Sequence, residues 1–356
     1  MQRRDYLLGA LGAMGALAAP WAQAKRRLPP GINALARIKD LRIATGPLTD
    51  GYRVAPDGRL NWYFTNLGLI AIVQYLTTQE LDLYIRRYLD LYLSRLESNL
   101  SIQDVLFNDA SLQNITLVES DSENSYTATL VSLAVRYLRA TGNWSWWEAR
   151  KALLKAMVQA NIVNLIKTNG LARVYQTGNP SPLADFGYMM NNAEDYRCLR
   201  DLATLLSLRG ESADANYFNS VAAGLAQAIG LVLWDSALQG FRTSDQDLRA
   251  DPNTFYAGCA CQVFVQAFGV SECAVYFTPA YRFLNTYSPQ WPSLAYDPFP
   301  WCILGTVAAK RGDSRRALDQ LAATDRLFAQ NPALLTINEL GFYQRTRSIL
   351  NGYGEI

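Results

Sequence analysis

Apolar positions recur every three to four residues along almost the whole chain, which is the period of an α-helix. Residues 211–234 show the pattern clearly, because apolar side chains fall on one helical face at Phe218, Val221, Ala222, Leu225, Ile229 and Val232. No convincing alternation of apolar and polar residues appears, so no β-strand is expected. The pattern predicts an all-α protein.

Tight turns divide the predicted helices into pairs. Glycine suits the left-handed position after a helix, and Asn, Ser or Asp suits the position that begins the following one. Four turns follow this rule: Thr141-Gly-Asn143, Arg209-Gly-Glu-Ser212, Phe268-Gly-Val-Ser271 and Arg311-Gly-Asp313. Thr77-Thr78 is a fifth tight turn, so the chain reads as a series of helical hairpins.

The connections between the hairpins are longer and rich in Asn, Asp, Gly, Pro and Ser. They span residues 98–120, 168–189, 235–251 and 286–296. Long irregular loops in a compact fold usually carry function. If the hairpins stand side by side in a ring, the tight turns lie at one end of it and the long loops at the other.

The expected starts of the first helices share a composition. One such start alone indicates a capped helix, and Asp121 or Ser122 is the expected N-cap of the second. Because the arrangement is repeated at the long-loop end of the ring, it indicates a shared cleft. Amide or carboxylate groups combine with aromatic residues at 60–66, 121–126, 191–196, 251–256, 296–301 and 338–343.

The sequence contains no histidine, which excludes several kinds of active site. Ser-His-Asp and Cys-His nucleophilic systems, His-ligated zinc and an imidazole base all need that residue. Acid–base chemistry must therefore come from carboxylates, Tyr, Lys or Cys. The five cysteines show no Cys-x-x-Cys spacing, so we expect no metal site, no disulfide framework and no cofactor. The formal net charge of +2 gives no sign of nucleic-acid binding.

The first two dozen residues have the features of an export signal. Arg3-Arg4 precedes a weakly apolar run over residues 7–19, and Ala22-Gln-Ala24 offers the small residues that signal peptidase requires. The paired arginines resemble a twin-arginine signal, with a plain secretory signal as the alternative. We expect a periplasmic or secreted protein without stable membrane insertion. The expected divisions are a cleaved signal (1–24), an N-terminal extension (25–55), a single catalytic domain (56–350) and a tail (351–356).

Several short motifs stand at or near the predicted helix starts. They are Asn61-Trp-Tyr-Phe-Thr-Asn66, Asp121-Ser-x-x-Ser-Tyr126 followed by Thr141-Gly142, Asn169-Gly-Leu171, and Met190-Asn-Asn-x-Glu194. Together they resemble the (α/α)6 toroid of six-hairpin glycosidases and related polysaccharide-degrading enzymes, over most of residues 55–350. Position 124 is Asn where related sequences often carry a second acid. The resemblance implies an all-α toroid and a glycosidase activity that is commonly inverting.

Two carboxylates facing each other across a sugar-sized cleft suffice for glycoside hydrolysis. The catalytic candidates are Asp121, which matches the resembled motif, then Glu194, and then Asp297 within a run of aromatic residues. Glu119 and Glu339 are further acid candidates that could equally be caps or loop charges. Aromatic rings stack on sugar faces, and amides and carboxylates bind hydroxyls. The expected substrate-binding residues are Trp62, Tyr63, Asn66, Glu123, Tyr126, Tyr188, Asn191, Asn192, Tyr256, Trp291 and Trp301.

The leading interpretation is an exported glycoside hydrolase that acts on a polysaccharide or oligosaccharide. The first alternative is a polysaccharide lyase on the same toroid, with Tyr as the base and Asn or Arg neutralising a uronate. The second is a non-catalytic glycan-binding subunit of an exopolysaccharide system, which predicts binding without turnover.

Overall fold

The computed structural model describes residues 28–354, and the expected export signal lies outside that range. Helices dominate the described chain, and short turns of 3-10 or π-helix extend several of them. In chain order they are α1 (Ala34–Asp40), α2 (Trp62–Ile72), α3 (Thr78–Glu80), α4 (Arg87–Ser94), α5 (Glu123–Thr141), α6 (Trp144–Asn161), α7 (Met189–Leu208), α8 (Ser212–Ala228), α9 (Phe264–Ala267), α10 (Ala274–Tyr287), α11 (Ile303–Lys310), α12 (Ser314–Gln330) and α13 (Ile337–Leu350).

Six helices form the inner wall of a closed ring within residues 28–354. Each contacts the next in the order α2, α5, α7, α9, α11 and α13, and α13 contacts α2 to close the ring. The outer helices pack against them, with α6 on α5, α8 on α7, α10 on α9, α12 on α11 and α1 on α13. Tyr88 of α4 packs against Trp62 of α2 in the same way. The predicted all-α, (α/α)6 toroid is confirmed.

A left-handed glycine ends the first helix of four hairpins, as the sequence predicts. A residue with a Cβ would be strained in this conformation, so glycine is the natural choice. The four tight turns therefore form as expected. The φ angles are 64° at Gly142, 78° at Gly210, 71° at Gly269 and 76° at Gly312.

The expected helix caps are only partly present. Asn143 and Asp313 each accept a hydrogen bond from a backbone N–H of the following helix. At α5 Ser122 occupies the N-cap position as predicted, but the expected side-chain cap bond is absent. The backbone N–H of Glu123 donates instead to the carbonyl oxygen of Val174 at 3.1 Å. A long loop thus replaces the side-chain cap at this helix start.

Two short β-hairpins occur within the long loops, which corrects the expectation of no strands. β1 (Asp104–Phe107) pairs antiparallel with β2 (Ile115–Val118), and β3 (Trp234–Asp235) with β4 (Gly240–Phe241). The first hairpin places Asp104 opposite Val118. These strands are too short for an alternating pattern to stand out, and the two central residues of β2 are exposed rather than alternating in burial.

The core is formed by the helical faces that the apolar pattern predicts. Phe218, Ala222 and Leu225 are buried in α8, and Ile229 is buried in the turn that follows. The five cysteines are buried as free thiols. Within residues 28–354 no single helix has the length and apolar character to cross a membrane, and one bent pair, 255–267 with 271–287, passes on length and composition alone.

Candidate active site

The long-loop end of the ring holds a cleft of about 510 Å³. Every inner helix contributes to its wall at or near its first turn. The long loops add Val174, Leu183 and Tyr188 from 168–189, and Thr243 from 235–251. Side chains at the helix starts include Tyr63, Phe64, Ser125, Tyr126, Met190, Asn191, Tyr256, Phe264, Trp301, Ile303, Asn338, Glu339 and Phe342.

Six aromatic rings form a connected series around this cleft, which we call the aromatic belt. In order they are Tyr126, Tyr63, Phe64, Phe299, Trp301 and Tyr256. Successive ring centroids are 5.8, 5.7, 6.2, 5.0 and 4.4 Å apart. Tyr256 is 49% exposed and stacks on Trp301 at an interplanar angle of 22°. Tyr126 is buried, and the other five rings are at least partly exposed. Flat, partly exposed ring faces are suited to packing against the C–H faces of a sugar.

Glu194 is buried beneath the cleft and is bound by Tyr63. Its exposed fraction is 2%, and the Tyr63 hydroxyl donates to its Oε1 at 2.6 Å. Burial raises the pKa of Glu194 to about 8, although the hydroxyls of Ser125 and Tyr63 act in the opposite direction. Glu194 is therefore mostly protonated at neutral pH. Its hydrogen bond with Tyr63 links it to a residue of the cleft wall.

Glu339 lines the cleft directly and also has a raised pKa. Its exposed fraction is only 1%, and burial raises its pKa to about 7. The backbone N–H of Cys302 and the side-chain amide of Asn338 donate to its carboxylate. The sequence interpretation of Glu339 as a cap is thus partly right, since it binds the N-terminus of α11. A carboxyl group with a pKa near 7 is also suited to proton transfer at neutral pH.

Asp121 lines the same cleft just before α5 and has a contrasting environment. Its side chain is 65% exposed, and an Nη2 of Arg59 lies 3.7 Å from its carboxylate. The wall therefore contains one exposed, ion-paired carboxylate and one buried carboxyl group, Glu339. General acid–base catalysis needs two carboxyl groups that differ in how readily they hold a proton, and contrasting environments supply that difference.

A hydrogen-bonded chain runs from the cleft wall to a further buried acid, Asp195. The amide of Asn191 donates to Asn124 Oδ1 at 3.0 Å, and the amide of Asn124 donates to Asp195 Oδ2 at 2.9 Å. Burial raises the pKa of Asp195 well above its usual range. Asn124 therefore orients Asp195 and links it to the wall residue Asn191.

Asp104 anchors the aromatic belt, and the sequence analysis did not identify it. The hydroxyl of Tyr126 donates to its Oδ2 at 2.8 Å, the amide of Asn61 donates to the same oxygen, and the backbone N–H of Trp62 donates to Oδ1 at 3.2 Å. Burial raises the pKa of Asp104 to about 6. These bonds join β1 to the starts of α2 and α5, so they orient Tyr126. The only sequence signal was an acid within an apolar segment.

Seven predicted site residues lie on the cleft wall, and the others lie elsewhere. Trp62 and Trp291 are core residues at 1% exposure, with their indole N–H groups donating to Gln103 O and Asn285 Oδ1. The carboxylate of Asp297 accepts the backbone N–H of Phe299 at 2.8 Å and the indole N–H of Trp301 at 3.0 Å. The wall residues are Tyr63, Asp121, Tyr126, Tyr188, Asn191, Tyr256 and Trp301.

Three polar residues predicted to bind substrate stabilise the scaffold instead. Asn66 accepts from the Tyr88 hydroxyl at 2.7 Å and is fully buried. Asn192 bonds both backbone groups of Ala172, which attaches the 168–189 loop to α7. The carboxylate of Glu123 accepts the backbone N–H of Gln176 in that loop. Across residues 28–354, no group of three or more His, Cys, Asp or Glu side chains is arranged to hold a metal ion.

Three solved structures with a similar fold are described as glycosidases. A rhamnosidase from Klebsiella oxytoca with rhamnose bound matches with a TM-score of 0.59 and 14% identity, over 83% of this chain and 54% of that one. A GH78 family rhamnosidase of Bacillus sp. GL1 matches with a TM-score of 0.56 and 16% identity, over 81% and 29%. A glycosidase variant matches with a TM-score of 0.58 and 11% identity, over 90% and 96%.

These similarities concern the fold. No protein-family model and no curated protein matches the chain. The chain spans about half the length of the Klebsiella rhamnosidase and less than a third of the Bacillus enzyme. This protein therefore has a glycoside hydrolase-like helical fold.

Proposed function

We propose that this protein is a glycoside hydrolase that cleaves a polysaccharide or oligosaccharide in the cleft at the long-loop end. The observation that carries the proposal is the presence of Asp121 and Glu339 on the wall of one cleft bordered by the aromatic belt. The similar structures support it, because all three are described as glycosidases and two as rhamnosidases. Rhamnose-containing glycans are therefore the first substrates to try.

In the proposed mechanism Glu339 is the general acid. Its pKa of about 7 keeps a proton available near neutral pH, and this proton passes to the glycosidic oxygen as its bond to the anomeric carbon breaks. Asp121, which is ion-paired with Arg59, takes a proton from the attacking water. The water oxygen then bonds to the anomeric carbon. Exchange of protons with solvent restores both carboxyl groups.

The proposed reaction inverts the anomeric configuration. Asp121 precedes α5 and Glu339 lies in α13, and α2 stands between these helices in the ring. An inverting enzyme needs its carboxyl groups about 6.5–9.5 Å apart so that a water fits between substrate and base. Proton NMR of the product formed in the first minutes tests this point. Release of the opposite anomer supports inversion. Release of the original anomer would instead indicate a double displacement with retention.

The other sequence-based acid candidates have supporting roles in this proposal. Glu194 orients Tyr63 from below the cleft, and Asp297 orients Trp301 of the aromatic belt. Neither lies on the wall of the cleft. Both therefore influence binding and geometry without exchanging a proton with the substrate.

The tyrosines of the cleft favour hydrolysis over the lyase alternative. A lyase needs a tyrosine that accepts a proton from the carbon next to a uronate. Burial raises the pKa of Tyr188 above its usual range and that of Tyr256 to about 12, and it raises the pKa of Tyr63 and Tyr126 further. A high pKa leaves little phenolate at neutral pH, which weakens each of these side chains as a base.

Product analysis with purified protein distinguishes the three interpretations. The protein is incubated with a panel of bacterial and plant glycans, including rhamnose-containing ones, and reducing ends, ultraviolet absorbance and binding are measured. New reducing ends without new ultraviolet absorbance support the hydrolase. Ultraviolet-absorbing products would indicate a lyase, and binding without any product would indicate a non-catalytic subunit.

A further inference from the structure

A second cavity, of about 220 Å³, lies at the tight-turn end of the ring, and we call it the turn-end cavity. It is lined by the inner helices beyond their first turns and by residues of the 268–271 turn. Leu67 lines both this cavity and the cleft, and Glu194 lies on the turn-end side of the boundary between them. The turn-end cavity is therefore a separate compartment below the floor of the cleft.

The lining of the turn-end cavity is strongly cationic. It includes Arg136, Arg197, Lys310 and Arg345, and within the described chain Glu194 is the one carboxyl group in the lining. Burial raises the pKa of Glu194 to about 8, so it opposes an anion only weakly at neutral pH.

Two of these cations share the carboxylate of Asp201, which lies next to the cavity. Asp201 Oδ2 lies 2.7 Å from Nη1 of Arg136, and Asp201 Oδ1 lies 2.9 Å from Nη2 of Arg197. One negative charge cannot balance two guanidinium groups, so an excess of positive charge remains here. Burying unbalanced charge is unfavourable unless a counter-charge is supplied.

Bonds to backbone carbonyl oxygens explain the orientation of two cations without explaining the convergence of four. Lys310 ends α11 and donates to the carbonyl oxygen of Ala267 at 3.1 Å. Arg136 donates to the carbonyl oxygen of Ser132 at 2.9 Å. The position of Lys310 is ordinarily favourable for a cation, because Lys310 ends α11 and Ala267 ends α9. These bonds do not require the side chains to line a common cavity.

The cavity also offers hydrogen-bond donors that range from largely buried to partly exposed, and the Arg197 side chain is 34% exposed. The side chain of Arg136 is only 12% exposed, and burial lowers the pKa of its guanidinium. The Nε of Arg197 is buried and has no hydrogen-bond partner. An unsatisfied buried donor is costly, and an anionic acceptor would satisfy it with a strong, charge-assisted bond. Thr129, Ser132 and Gln74 add neutral hydrogen-bonding groups to the lining.

We propose that the turn-end cavity binds a small oxyanion through Arg136, Arg197 and Lys310. The volume suits a phosphate, a sulfate or the carboxylate of a small organic acid. Because the site lies outside the cleft, this inference stands independently of the proposed glycosidase activity. The bound anion lies beneath the cleft floor, next to Glu194.

Isothermal titration calorimetry on the full mature chain tests the proposal at neutral pH, with inorganic phosphate, sulfate and acetate in separate titrations. We expect saturable binding at one site, and the tighter ligand shows whether a tetrahedral oxyanion or a carboxylate is preferred. Lys310→Gln and Arg197→Gln should each weaken binding by about tenfold or more, because each removes a charge-assisted bond. The matched control is Arg315→Gln on α12, whose side chain is 92% exposed, and it should bind as the wild type does.

Two results of the titrations would overturn the proposal. One is the absence of saturable binding of all three anions by the wild-type protein. The other is an equal loss of affinity in Arg315→Gln, which would indicate a general surface effect.

If the cavity variants fold poorly, crystals of the wild type soaked in selenate give an independent answer. Anomalous density between Arg197 and Lys310 supports the site, and selenate found only on the outer surface contradicts it. No glycan is present in either experiment, so failure leaves the hydrolase proposal untouched.

Discussion

The hydroxyl of Tyr63 donates to Oε1 of Glu194 at 2.6 Å, which joins a wall residue of the cleft to a carboxyl group buried beneath it. Burial raises the pKa of Tyr63 well above its usual range and that of Glu194 to about 8. Both groups are therefore mainly neutral at pH 7. Since Glu194 also lines the turn-end cavity, this hydrogen bond spans the boundary between the two compartments.

Glu194→Gln should alter how stability depends on pH. The pKa of Glu194 rises from 4.5 to about 8 on folding. The resulting stabilisation is fully present below the unfolded pKa and is lost as the pH rises through the folded one. Glutamine does not ionise, so the melting temperature of the wild type should fall more than that of the variant between about pH 5 and about pH 9. Circular dichroism measures both curves.

Asp319→Asn on α12 is the control for this experiment, because the Asp319 side chain is 60% exposed. Its melting temperature should follow the wild-type curve across the same range. Parallel curves for the wild type and Glu194→Gln would show that Glu194 is not held neutral by burial.

Two of the three tryptophans assigned to substrate binding, Trp291 and Trp301, should respond differently to the same substitution. Trp301→Leu removes the ring that stacks on Tyr256 with a centroid distance of 4.4 Å, so glycan affinity should fall about tenfold, equivalent to about 1.4 kcal/mol. Trp291→Leu removes a buried ring and should lower the melting temperature with little change in affinity. Affinity electrophoresis and thermal melts separate the two effects. Equal losses of affinity would argue against the aromatic belt as the binding surface.

The two ends of the ring should differ in their tolerance of insertions. A Cβ placed at Gly210 would meet open space, so three added residues there should leave turnover largely intact. The same insertion after Gly178 alters the loop that carries Val174 and Leu183 to the cleft wall. It should reduce turnover more than the melting temperature. If the Gly210 insertion protein folds but loses turnover, the active site would not lie at the long-loop end.

Export remains a prediction from the first residues, which lie outside the described range. Arg3-Arg4 and Ala22-Gln-Ala24 predict cleavage after Ala24. N-terminal sequencing of protein from the periplasm or medium should therefore begin at Lys25. Replacing both arginines with lysine should block export if the route is the twin-arginine one. An intact N-terminus on a cytoplasmic protein would contradict the prediction.

The fold could be predicted from sequence because its signals are local. The helical period and the left-handed glycines, such as Gly142 and Gly312, depend on neighbouring residues alone, and they sufficed for a series of helical hairpins. The closed ring was expected from the resemblance to six-hairpin glycosidases. The β1–β2 hairpin was missed because its pattern is short. Its role arises from a tertiary contact, the bond from Tyr126 to Asp104, that no local pattern records.

The site was only partly predictable. Composition identifies where a helix starts, but not which of its first side chains face the cleft. Tyr63 lines the cleft, whereas the adjacent Trp62 points into the core and packs on Tyr88. In the same way, Glu339 and Glu119 looked equivalent in sequence. Tertiary packing buries the first on the cleft wall and leaves the second exposed, bound to the amide of Asn179.

The central claim is that Asp121 and Glu339 form the catalytic pair, and it is tested most directly by turnover and glycan affinity of Asp121→Asn and Glu339→Gln. Glu119→Gln serves as the matched control. General acid or base catalysis contributes roughly 10²–10⁴-fold, so each of the two variants should lose turnover by about that factor while its affinity stays within a few-fold of the wild type. Wild-type activity should also fall as the pH rises through the Glu339 pKa of about 7, because the general acid loses its proton. Turnover of both variants within a few-fold of the wild type and the control would contradict the account.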